Sequence, residues 1–132
     1  MRFKTLMVIK ALVCLVLGIA LLLFPGALFS IFGVNLGAGG TFPAREYGSA
    51  LFGILMLTWF ARKVPESTAR TAIILALFIY DALGFVVTLI ARIEGVLNAL
   101  GWLIAAIYLF FALGFGYLLT IKPGATQNSI AK

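Results

Sequence analysis

The chain is 132 residues long, 64% of them hydrophobic and 11% charged, with a mean hydropathy of +1.18. That composition lies far outside the soluble globular range and reads as an integral membrane protein. The length leaves room for one domain of about four 20-residue spans. The absence of histidine excludes His-ligated metals, bis-His haem and a His general base.

The net charge of +6 would suggest nucleic acid in a soluble protein, but most of the cations stand at the ends of apolar runs. There they read as topology determinants and contacts to anionic lipid.

In chain order, Arg2, Lys4 and Lys10 precede an uncharged run over 11–24, which reads as a retained signal-anchor and a first span over about 6–24. Pro25 removes a backbone donor and should end or kink that helix, leaving 26–33 as a short interfacial piece. Gly37, Gly39 and Gly40 crowd the stretch 34–42, which is expected to be a loop. Pro43 then suits the first turn of a second span over 44–61, closed by Arg62 and Lys63. The segment 64–69 is a polar turn in which Ser67 or Thr68 is the expected helix cap. The third span is expected over 69–91, a tight turn at Arg92, Glu94 and Gly95 follows, and the fourth span runs over 96–121. Lys122, Pro123 and Gly124 end it.

With the N-terminus inside, Arg2, Lys4, Lys10, Arg62, Lys63, Arg70, Lys122 and Lys132 fall on the inner side, and Arg45 and Arg92 on the outer. Eight against two predicts that both termini are cytoplasmic. The fold class expected is therefore all-α: an up-down, integral membrane four-helix bundle. Gly33-Val34 before the second span and Gly95-Val96 before the fourth also raise the prospect that the two hairpins are repeats.

Asp81 is the outlier, near the middle of the third span with no base within a helical turn. A carboxylate at that depth must be paired, hydrated or protonated. Arg45 is the expected partner, about 6 to 8 Å further out by helical rise, with Glu46 competing for or extending the pair. Tyr47, Tyr80 and Tyr108 add hydroxyls at similar depth. Three readings of Asp81 stand: a structural clasp, a site for a polar head group or a proton, and a contact to a second subunit. Small residues at Thr68, Ala72, Ala76, Gly84 and Thr88 read as a close-packing stripe. Trp59 beside Arg62, and Trp102 near Arg92, sit at interfacial positions. Cys14, Ser30, Ser49, Thr58 and Thr71 lack a base at helical spacing, so no enzyme is expected. No cofactor is expected either. The partners expected are membrane lipids and no nucleic acid, with a homo-oligomer or a larger membrane complex as the assembly.

The order Phe24-Pro25, Leu28-Phe29, Phe32-Gly33, Ala44-Arg45-Glu46-Tyr47-Gly48, Leu51-Phe52-Gly53 and Leu57-Thr58-Trp59-Phe60-Ala61-Arg62 resembles the small four-helix bacterial membrane proteins of the DoxX-like group. The resemblance covers residues 5–63 by motif and implies an up-down bundle in a bacterial inner membrane, with an Arg opening the second span. It implies no activity. Small multidrug transporters resemble the chain only in having four spans, because their coupling carboxylate lies in a first helix that here carries none.

Overall fold

The computed structural model describes residues 2–121, and these form five α-helices with no strand among the described residues. Helix α1 is Phe3–Leu23, α2 Pro25–Ile31, α3 Gly37–Ala61, α4 Thr68–Ile93 and α5 Gly101–Thr120. Three of them, α1, α4 and α5, are long and apolar enough to cross a membrane. At 21 residues, α1 measures about 31 Å, the thickness of a bilayer's hydrocarbon core. The exterior agrees with such a solvent, since Leu12, Val16, Leu83, Val87 and Leu113 are all exposed. Helix α3 has the length but carries Arg45 and Glu46 on its surface.

Two hairpins organise the chain, α1 packed on α3 and α4 on α5. Small residues permit the close approach in the first. A Cβ added at Gly48 would stand 3.0 Å from Leu21, and one at Gly18 3.0 Å from the Phe52 ring. The half of the bundle nearest Phe3 is filled from all four long helices by Phe3, Leu6, Met7, Ala61, Ile74, Leu77, Phe111 and Phe115. The other half holds a smaller cluster around Cys14, Leu21, Ala44 and Leu51.

Several local expectations hold. The first helix stops before Pro25, which takes the N1 position of α2, where its missing N–H costs nothing. Ser67 caps α4, its hydroxyl accepting from the Arg70 amide at 3.2 Å. Both hairpins also end their outgoing helix with one motif: Gly33 (φ 81°) and Gly95 (φ 79°) adopt the left-handed conformation. The following amides, Val34 and Val96, reach back to the carbonyls of Phe29 and Ala91 at 2.9 Å each. This is the Schellman cap, which favours glycine at its left-handed position.

Three expectations need correction. The glycine-rich stretch is not a loop, because α3 begins at Gly37 and holds Pro43 inside it. The Gly40 amide and the Thr41 hydroxyl bond back to Leu36 and Gly37 carbonyls at 3.2 and 2.7 Å. Weak local propensity is overridden there by packing of the rest of α3. Residues 96–100 are not helical, because Asn98 serves as a clamp. Its side-chain amide donates to the Ile31 carbonyl at 3.0 Å, its backbone N–H donates to Phe32 at 2.9 Å, and its Oδ1 accepts from Leu100. The small-residue stripe packs only at Gly84 and Thr88, whereas Thr68, Ala72 and Ala76 are exposed. The expected stop at Lys122, Pro123 and Gly124 lies outside the described residues.

Candidate functional site

On α1 the residues Phe3, Met7, Lys10, Cys14 and Gly18 recur at helical spacing and are all buried. Lys10 therefore occupies a core position, 3% exposed. Asp81 occupies the matching place on α4, between the buried Leu77 and Thr88, at 0% exposure. The two form an ion pair, the Lys10 ammonium donating to Asp81 Oδ1. Measured from the contact of the Arg70 guanidinium with the Phe3 ring, Lys10 stands about 10 Å and Asp81 about 16 Å along their helices. The four-carbon stem of lysine closes that gap.

The expected partner, Arg45, is thus replaced by Lys10. Ala44, Tyr47, Gly48 and Leu51 form the inward face of α3, and Arg45 and Glu46 fall off it at 100° per residue. Both are exposed. From sequence alone Lys10 reads as an interfacial cation because it closes a basic run. Its apolar neighbours at three and four residues' spacing are the signal that places it inside.

The three tyrosines do come together. The Tyr47 hydroxyl lies 2.6 Å from that of Tyr80 and is also hydrogen-bonded to that of Tyr108. The Tyr80 and Tyr108 rings meet edge to face at 6.1 Å. Gly84 is what lets α5 bring Tyr108 in, since any Cβ there would overlap the Tyr108 ring. The Lys10 ammonium joins this cluster to the ion pair, lying 4.7 Å from the Tyr80 ring centre and 4.4 Å from that of Phe111, within cation–π range. Each of the four long helices contributes: Lys10 from α1, Tyr47 from α3, Tyr80 and Asp81 from α4, Tyr108 from α5.

Beside the cluster, between the hairpins, is a cavity of about 180 Å³. Lys10 and the tyrosines form its polar end. Leu17, Leu21, Leu51, Ile104 and Ile107 form apolar walls, and Leu28, Phe29 and Phe32 close it from α2 and its end. Two hydrogen bonds among three hydroxyls use two of three phenolic protons, so one O–H donor is spare. Lys10 likewise has three N–H donors and gives one to Asp81. Asp81 Oδ2 is buried without a hydrogen-bond partner among the described residues. No group of three or more His, Cys, Asp or Glu side chains that could hold a metal occurs among the described residues.

Comparison with protein-family models, curated proteins and solved structures gives no match.

Proposed function

We propose that this chain is a non-enzymatic, multi-pass protein of the bacterial inner membrane that binds a small, neutral, mainly apolar molecule in the cavity between its hairpins. It crosses four times, α3 included, with both termini cytoplasmic. The DoxX-like resemblance supports that architecture alone. The observation that carries the binding reading is the convergence of four helices on one charge pair and three hydroxyls at the end of an otherwise apolar cavity.

Stability alone is a poor account of that arrangement, because replacing a buried ion pair by apolar side chains of similar size is often neutral or stabilising. The cavity's chemistry selects its guest. Its volume of about 180 Å³ slightly exceeds the roughly 150 Å³ that holds a benzene molecule, which suits one ring with a short substituent. The spare donors call for a hydrogen-bond acceptor. Lys10 and Asp81 sum to zero charge, so an anionic guest would add an uncompensated charge in a low-dielectric interior.

Acetophenone, ethylbenzene and benzoate have similar size and differ in acceptor and charge. Ligand-detected NMR on the protein in detergent should show saturable acetophenone binding, about tenfold tighter than ethylbenzene from one hydrogen bond. Replacing Tyr47, Tyr80 and Tyr108 together by Phe removes every hydroxyl donor of the cluster and should shrink that preference, and Ile104→Trp should abolish binding. Equal binding of all three probes, or binding that survives Ile104→Trp, would sink the reading.

A second reading rests on the unpartnered Asp81 Oδ2: a homo-oligomeric, proton-coupled transporter or channel in which that oxygen takes the proton. Infrared difference spectra of protein in lipid, with Asp81→Asn to assign the band, distinguish the two. A carboxyl band that titrates across the physiological pH range favours coupling.

A further inference from the structure

At the end of the bundle opposite the cavity, Arg2, Lys4, Arg62, Lys63 and Arg70 line one cleft of about 480 Å³. Among the described residues, no acidic side chain lines it. Glu66 lines the neighbouring hollow instead, with Ser67 and Thr71. The tendency of cytoplasmic loops to gather cations accounts for their number at this end but asks nothing of their arrangement. Five side chains splayed into water would satisfy it equally.

Two of them are instead held in place. The Arg62 guanidinium stacks 3.9 Å from the Trp59 ring centre and donates to the Trp59 carbonyl. Arg70 stacks 4.1 Å from the Phe3 ring centre and donates to the Val64 carbonyl at 3.4 Å. Each is half-buried and keeps most of its five N–H donors for a further acceptor. Fixed guanidinium planes match tetrahedral oxyanions through paired hydrogen bonds, and little side-chain entropy remains to be lost. Helix α1 starts at the same cleft without a side-chain cap, so its first amides also face an incoming anion. Phe3, Val64, Leu118 and Ile121 form an apolar wall beside the cations. A ligand that satisfies both halves has a phosphate and a hydrocarbon part.

We propose that this cleft binds the phosphodiester of an anionic phospholipid, with Arg62 and Arg70 on the phosphate oxygens and an acyl chain along Leu118 and Ile121. Lys4, Lys63 and Arg2 supply the net positive field that distinguishes an anionic lipid from a zwitterionic one. The site is independent of the cavity and stands whatever the cavity holds.

The test uses Trp102→Phe protein, which leaves Trp59 as the single tryptophan, directly under Arg62. In detergent, short-chain phosphatidylglycerol should change Trp59 emission saturably, and short-chain phosphatidylcholine should not. Adding Arg62→Gln and Arg70→Gln should weaken the response at least about tenfold, the loss of charge-assisted hydrogen bonds. Adding Arg92→Gln, at the other end, should leave it unchanged. Should the paired glutamine variant lose helical circular dichroism, Arg62→Lys with Arg70→Lys tests the same geometry with charge retained and should also weaken binding. Equal responses to the two lipids, or undiminished binding in a folded arginine variant, overturn the proposal. Saturation by inorganic phosphate that blocks the lipid response makes a free phosphate the ligand and overturns the lipid assignment.

Discussion

Lys10 and Asp81 are coupled by burial as much as by charge. Removing one leaves the other unpaired in an apolar interior, at a cost of about 3–5 kcal/mol. Lys10→Met should therefore destabilise the protein strongly, and Lys10→Met with Asp81→Leu should recover most of the loss. Unfolding in mixed micelles, read as a double-mutant cycle, measures this. Additive single effects would show that the pair does not interact. Arg45→Gln in the same assay should change stability by less than about 0.5 kcal/mol, as for exposed substitutions, because Arg45 meets no carboxylate among the described residues. Gly84 supplies a second prediction at this scale. Gly84→Ala gains about 1 kcal/mol of helix propensity, yet its methyl group overlaps the Tyr108 ring. The overlap wins, because an aromatic ring pinned by a hydrogen bond has no shorter path away. The net effect expected is about 1–3 kcal/mol of destabilisation, with altered tyrosine ultraviolet resonance Raman bands as Tyr108 leaves Tyr47. Unchanged bands would separate Gly84 from the tyrosine cluster.

Among the elements, what could be read from sequence was governed by short-range rules. Pro25 at a helix start and Ser67 at a cap act through their own backbone geometry. That Asp81 and the three tyrosines lie close together was legible because polar groups in an apolar run have few places to go. The partner of Asp81 was not legible, since choosing between Arg45 and Lys10 needs the rotation of each helix about its axis. The start of α3 and the unwound stretch 96–100 were hidden because contacts distant in sequence decide them. Helix α3 tests this directly. With Pro43 inside the helix, Pro43→Ala should restore a backbone bond and stabilise, by up to about 3 kcal/mol. A loop ending at Pro43 predicts no gain. At the other hairpin, Asn98→Ala removes the bond to Ile31 and should loosen α2 by about 1 kcal/mol, seen as faster hydrogen exchange confined to 25–34. Unchanged protection would mean that the Asn98 backbone bond to Phe32 suffices.

Taken whole, the molecule is two hairpins that pack tightly where all four long helices meet and part around a cavity toward the α2 end. The matching glycine caps at Gly33 and Gly95 give the hairpins a common geometry at that end. The basic end lies opposite. Placing Lys10 in the core removes one cation from the count that orients the chain, leaving seven against two. The bias survives, because Arg62, Lys63 and Arg70, at and just after the turn between α3 and α4, supply three of the seven. Orientation then follows from a labelling experiment in which Cys14, the single cysteine, is first replaced by serine. On the proposed orientation, Asn35→Cys, on the exposed connection between α2 and α3, should react with a membrane-impermeant maleimide on intact cells. Lys63→Cys should react only after permeabilisation. The reverse pattern would invert the protein and turn the cavity end toward the cytoplasm. Labelling of both sites from outside would remove α3 from the membrane, since the two positions bracket that helix alone. A four-span protein with both termini cytoplasmic allows neither result, so one pair of cysteines tests both the α3 crossing and the direction of insertion.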